Sequence, residues 1–85
     1  MTIQYDTEAD AAYFRFSNET VSTTQEESDV CILDLDAMGG LIGIELLSVF
    51  GFAGAALSLL VSKGMVTSQT AKNALQELKR ELVAA

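Results

Sequence analysis

The chain has 85 residues, 49% of them hydrophobic, and a formal charge of −7 with no histidine and no proline. That length suits one domain, and the apolar share excludes a disordered segment. The acidity argues against a phosphate backbone as partner, and the missing histidine removes imidazole from any catalytic or metal-binding scheme.

The charge is unevenly placed. Residues 1–50 carry a net −9, and residues 51–85 a net +2. Such an acidic half solubilises the chain and offers a surface to a basic protein partner. One cysteine, Cys31, rules out an intrachain disulfide and fits a reducing compartment, so a cytoplasmic setting is expected. The opening MTIQYDTEAD has no basic start and no apolar core, so no signal peptide is expected there. Asn18-Glu19-Thr20 matches a glycosylation sequon but carries no weight without secretion.

In chain order, Thr2 to Tyr5 predicts a short strand with Ile3 and Tyr5 on one face. Asp6 to Asp10 reads as a polar turn. Ala11 to Phe16 predicts a second strand, with Ala12, Phe14 and Phe16 facing one way and Tyr13 and Arg15 the other. After the polar loop Ser17 to Thr20, the Thr-rich Val21 to Glu26 reads as an edge strand. Glu27 to Asp29 is a charged turn. Val30 to Leu35 and Leu41 to Leu47 predict a central hairpin. Asp36, Gly39 and Gly40 carry the turn between them, because glycine takes positive φ without a Cβ clash. Gly43 inside the second strand signals a bulge or a close backbone approach. Short strands with short connections favour an antiparallel meander.

The pattern then changes. Leu46 to Ser62 is a run of 17 residues without a charge. A membrane span needs about 20 predominantly apolar residues, so this run predicts packing on the sheet instead. Ala55 to Lys63 favours helix, with Gly64 as its stop. Thr67 or Ser68 is a good N-cap for a second helix from about Gln69 to Val83. Ala71, Leu75, Leu78 and Leu82 follow at spacings of four, three and four and form an apolar stripe. Two helices around a glycine also suit a helix-turn-helix. The second is mixed in sign, however, so DNA binding is not expected.

The carboxylates are the side chains best suited to carry chemistry in this chain. Asp6, Glu8 and Asp10 alternate, as do Asp34 and Asp36, and alternating oxygens suit Ca²⁺ or Mg²⁺. The full calcium-loop spacing and its distal glutamate are missing, so turn bonding is the expected role. Glu45 sits in an otherwise apolar strand. If Asp34 and Glu45 faced each other they would couple and support acid–base work. Exposure, or a pair with Arg15, is the simpler expectation. Arg15 is equally placed to pair with Asp6 or Asp10. Cys31 shares the apolar face of Leu33 and Leu35 and reads as a small buried hydrophobe. No phosphate loop, dinucleotide fingerprint or zinc spacing is present, so no cofactor is expected.

Two segments together resemble a known family. Tyr5-Asp6-Thr7-Glu8-Ala9-Asp10-Ala11-Ala12-Tyr13-Phe14-Arg15-Phe16 resembles the opening of the small bacterial family catalogued as domain of unknown function 2283. Ile32-Leu33-Asp34-Leu35-Asp36 and Gly40-Leu41-Ile42-Gly43-Ile44-Glu45-Leu46-Leu47 resemble its second signature. The resemblance covers about residues 3–48. Ala12 replaces a larger aliphatic residue, and Met38-Gly39-Gly40 a more polar turn. The resemblance implies a compact sheet domain of unassigned biochemistry, with an antitoxin-like or accessory role.

The resulting expectation is an α+β domain, an antiparallel meander of about five strands over residues 1–48 followed by a helical tail over 49–85. So small a chain buries only roughly 60% of its unfolded surface, so self-association as a homodimer is expected to enlarge the core. The candidate interface is Leu57, Leu60, Ala71, Leu75, Leu78 and Leu82. The expected function is a non-enzymatic, homo-oligomeric interaction module of regulatory or antitoxin-like type. The alternative is a carboxylate-based divalent-metal protein or small hydrolase.

Overall fold

A computed structural model describes residues 1–49 and 52–84. The strands are β1 (Thr2–Asp6), β2 (Ala11–Arg15), β3 (Thr23–Ser28), β4 (Cys31–Leu35) and β5 (Leu41–Leu46); the helices are α1 (Ala53–Ser62) and α2 (Ser68–Ala84). They form one five-stranded antiparallel sheet followed by a helix pair, the expected α+β class.

The sheet order is β1-β2-β5-β4-β3. The meander holds for the hairpin β1-β2 and for β3-β4-β5, but β2 pairs with β5 and β3 goes to the far edge. Side-chain chemistry accounts for this. Phe14 of β2 lies opposite Ile44, and Ala12 opposite Leu46, so apolar side chains meet across that seam. β3 offers only Thr, Gln, Glu and Ser, which suit an edge. The chain leaving β2 remains tied to β5, because the amides of Phe16 and Ser17 both donate to the Ile42 carbonyl.

Two cross-strand rows form the inner face. Ile3, Phe14, Ile44, Leu33 and Gln25 make one; Tyr5, Ala12, Leu46, Cys31 and Ser28 make the other. The central three strands bury their residues under the helices, where Ala53, Leu57, Leu60, Ala71, Ala74 and Leu78 complete the core. The β4–β5 register slips between Asp34 and Leu35, beside Gly43, so the bulge expected there is present.

Local chemistry sets the helix ends. Gly64 has φ +73, its amide donates to the Val61 carbonyl, and the Met65 amide donates to that of Leu60. This pair of bonds closes α1 as a Schellman motif. Thr67 caps α2, since its Oγ1 accepts from the Thr70 amide at 3.0 Å.

The predicted interface residues separate here. Leu57, Leu60, Ala71 and Leu78 lie in the chain's own core, and Leu75 and Leu82 are half-buried beside it. Four of the six are therefore covered without a second copy. The buried stripe of α2 runs Ala71, Ala74, Leu78, so Ala74 takes the inward place that the sequence pattern assigns to Leu75.

Candidate functional site

The sheet face turned away from the helices is polar. Thr2, Arg15, Gly43, Asp34 and Thr24 form one row across it; Gln4, Tyr13, Glu45, Ile32 and Glu26 form the next. The Tyr13 ring crosses diagonally between rows, over Gly43. Its hydroxyl donates to Asp34 Oδ2 at 2.7 Å, and Thr24 Oγ1 donates to Asp34 Oδ1 at 2.9 Å. Gly43 makes room for this: a Cβ there would stand 2.1 Å from Tyr13 Oη and 2.9 Å from the Phe14 carbonyl oxygen. Burial, and then the bond to Asp34, push the Tyr13 hydroxyl above its ordinary pKa, while Arg15 nearby pulls the other way.

This geometry decides between arrangements that the sequence leaves open for Glu45. Asp34 faces Gly43, and Glu45 faces Ile32, so the two carboxylates are diagonal neighbours rather than cross-strand partners. Arg15 Nη2 makes a long contact, 3.5 Å, with the Glu19 carbonyl oxygen, and the backbone partner of Glu45 on β2 is Tyr13. Arg15 and Glu45 are thus diagonal neighbours along the β2–β5 pairing.

The remaining carboxylates hold turns. Asp6 Oδ1 accepts the amides of Glu8 and Ala9 at 3.0 and 3.2 Å. Asp36 Oδ1 accepts those of Met38 and Gly40 at 2.9 and 2.7 Å, and Gly39 takes φ +83 between them. The turn roles read for Asp36, Gly39 and Gly40 are therefore seen directly. Asp10, at φ 50, accepts the Tyr5 hydroxyl at 2.9 Å. Among the described residues no three Asp, Glu or Cys side chains come together in a way that could hold a metal ion.

A second feature lies on the helix side. α1 presents Gly54, Ala55, Ser58, Leu59 and Ser62 outward. Phe52 is 50% exposed and Leu59 45%. Beside them runs a groove of about 180 Å³ whose apolar lining is chiefly Val30, Cys31, Phe52 and Leu59, with Glu27 and Ser28 also lining it. An ion pair between Glu27 and Lys63 ties the β3–β4 corner to the end of α1. Cys31 is buried, as read from its sequence position, and burial raises its thiol pKa. No helix among the described residues is long and apolar enough to cross a membrane. Of the uncharged run, Leu46 ends β5 and Ala53–Ser62 form α1; residues 50 and 51 between them lie outside the described residues.

Sequence reasoning missed Phe52 and Leu59. The available signal was the lack of any charge on α1, which leaves only Ser58 and Ser62 as its polar outward residues.

Residues 2–49 match the profile of the family described as protein of unknown function (DUF2283). The chain belongs to that family. Among curated proteins and among solved structures, nothing matches it significantly. The DUF2283 segment spans all five strands and ends before α1, so Tyr13, Asp34 and Gly43 lie inside it. The groove straddles its boundary: Val30 and Cys31 belong to the DUF2283 segment, and Phe52 to Leu59 follow it.

Proposed function

We propose that the protein is a small, non-enzymatic interaction module that works as a homo-oligomer, a dimer in its simplest form, with a regulatory or antitoxin-like role. The observation that carries this reading is the uncovered outer face of α1. It is the one element of the seven without a charged residue, and Phe52 and Leu59 stand half exposed on it. Large apolar side chains exposed together beside an apolar groove mark a surface for a partner.

The second copy is the favoured cover because of charge. Two chains of −7 repel each other except where a contact avoids their carboxylates, and α1 is the place that does. Gly54 and Ser58 leave room for close approach. The acids of the sheet favour this reading over the metal or hydrolase alternative, because Asp6, Asp10, Asp34 and Asp36 already serve protein donors. A cytoplasmic setting suits the single thiol.

Sedimentation equilibrium at micromolar concentration tests the proposal. The dimer mass is expected for the native chain and the monomer mass for Leu59→Glu, with the circular dichroism spectrum unchanged. A monomer mass for the native chain at every concentration refutes it.

A further inference from the structure

We propose that the open edge of β3 is a docking strand, which takes a basic, extended segment of another protein as a sixth strand of the sheet. β3 ends the sheet order, with β4 on one side and no strand on the other. Five of its six residues, Thr23, Thr24, Gln25, Glu26 and Ser28, are exposed, and only Glu27 is half-buried. A strand in that position presents unpaired backbone N–H and C=O groups. Edges are commonly closed with lysine, proline or a covering element, and β3 has neither residue. The strand at the opposite edge, β1, is in contact with α2.

The unpaired backbone makes the site, and charge selects the occupant. Residues 16–62 contain no Lys or Arg. Glu26 lies on the strand and Asp29 just beyond it, and neither forms an ion pair among the described residues. Edge-to-edge pairing with a second copy would set these acids against their own images, which is destabilising. A strand with alternating lysine or arginine meets the reverse situation. Main-chain bonds then give affinity and the acids give sign and register. This edge borders the α1 groove at the β3–β4 corner, where Glu27 and Ser28 line the groove and Glu27 pairs with Lys63, so the Leu59→Glu arm of the test decides whether docking is independent of self-association.

The test uses the full chain and a blocked six-residue peptide of alternating lysine and valine, the length of β3. Saturable amide shifts confined to Thr23–Ser28, with slowed hydrogen exchange there, are expected. Methylating alternate peptide nitrogens, which removes donors from one edge, is expected to abolish binding. A glutamate–valine peptide is expected not to bind, and Glu26→Lys to weaken binding of the lysine peptide roughly tenfold. Leu59→Glu should bind as the native chain does, which separates this site from the α1 seam. No binding, shifts elsewhere, or undiminished binding of the methylated peptide overturns the proposal.

Discussion

The hydroxyl of Tyr13 reaches across the Gly43 backbone to donate to Asp34 Oδ2 at 2.7 Å, joining β2 to β4 over the strand between them. Three residues 9 to 30 positions apart in sequence thus share one contact, and each limits the others. Gly43→Ala would push a Cβ into the tyrosine, at 2.5 Å from Cζ, as well as toward the Phe14 carbonyl. A loss of about 1–3 kcal/mol in unfolding free energy is expected, the usual scale of overpacking. In a Tyr13→Ala background the same substitution should cost less, because only the backbone clash remains. A double-mutant cycle in urea measures the difference, and strict additivity would contradict the contact.

Stability should fall in alkali. Burial, then the bond to Asp34, raise Tyr13 above 10.0, and the bond to Asp10 first of all raises Tyr5. The unfolded chain therefore releases these protons at lower pH than the folded one. Once the unfolded groups ionise, the native state holds more protons, and stability declines with rising pH. The contribution is complete below the unfolded value and is lost as pH climbs through the folded one. Cys31, raised by burial, adds with the same sign. Melting temperature should drop from about pH 10 upward, and Tyr13→Phe should drop less steeply. Identical slopes would remove Tyr13 from the account.

The β4–β5 turn should depend on one carboxylate oxygen. Asp36 Oδ1 holds two amides, and Asp36→Ala leaves both to water. A cost of about 1–2 kcal/mol is expected, with Asp36→Asn losing less because its amide oxygen still accepts. Gly39→Ala should cost about 1–2 kcal/mol through its positive φ alone, since nothing lies near the added methyl. Chemical denaturation of the three variants ranks them, and a neutral Asp36→Ala would show that the turn closes without its side chain.

The two leucine classes of the tail should separate cleanly. Leu78 is 3% exposed between α2 and the sheet, and Leu78→Ala should lose about 3 kcal/mol in unfolding free energy whatever the protein concentration. Leu59 points outward, so the stability lost in Leu59→Ala should grow with protein concentration, as mass action requires for a residue at a seam between copies. Thermal melts over a range of concentrations distinguish the two, and a concentration-independent loss at Leu59 would count against the seam.

Much of this fold is legible locally. The strand pattern of residues 1–47 follows from alternation, and the Asp36–Gly40 turn, the Gly64 stop and the Thr67 cap each use bonds within five residues. β3 was displaced by two residues, Val21–Glu26 against the observed Thr23–Ser28, because a Thr- and Glu-rich strand has no apolar alternation to mark its ends and a bulge interrupts it.

The set of elements, their caps and the acidic, single-thiol character of the chain are written in its residues one neighbourhood at a time. Those depend on near neighbours and on composition. The tertiary structure alone decided that β2 pairs with β5, that Tyr13 crosses Gly43 to reach Asp34, and which side of α1 meets the sheet. Pairing between distant strands is a competition among surfaces that no short window contains. α1 carries no charge, and the small row Gly54-Ser58-Ser62 marks its outward side only weakly, so the packing of Leu57 and Leu60 decided that Leu59 and Phe52 face out.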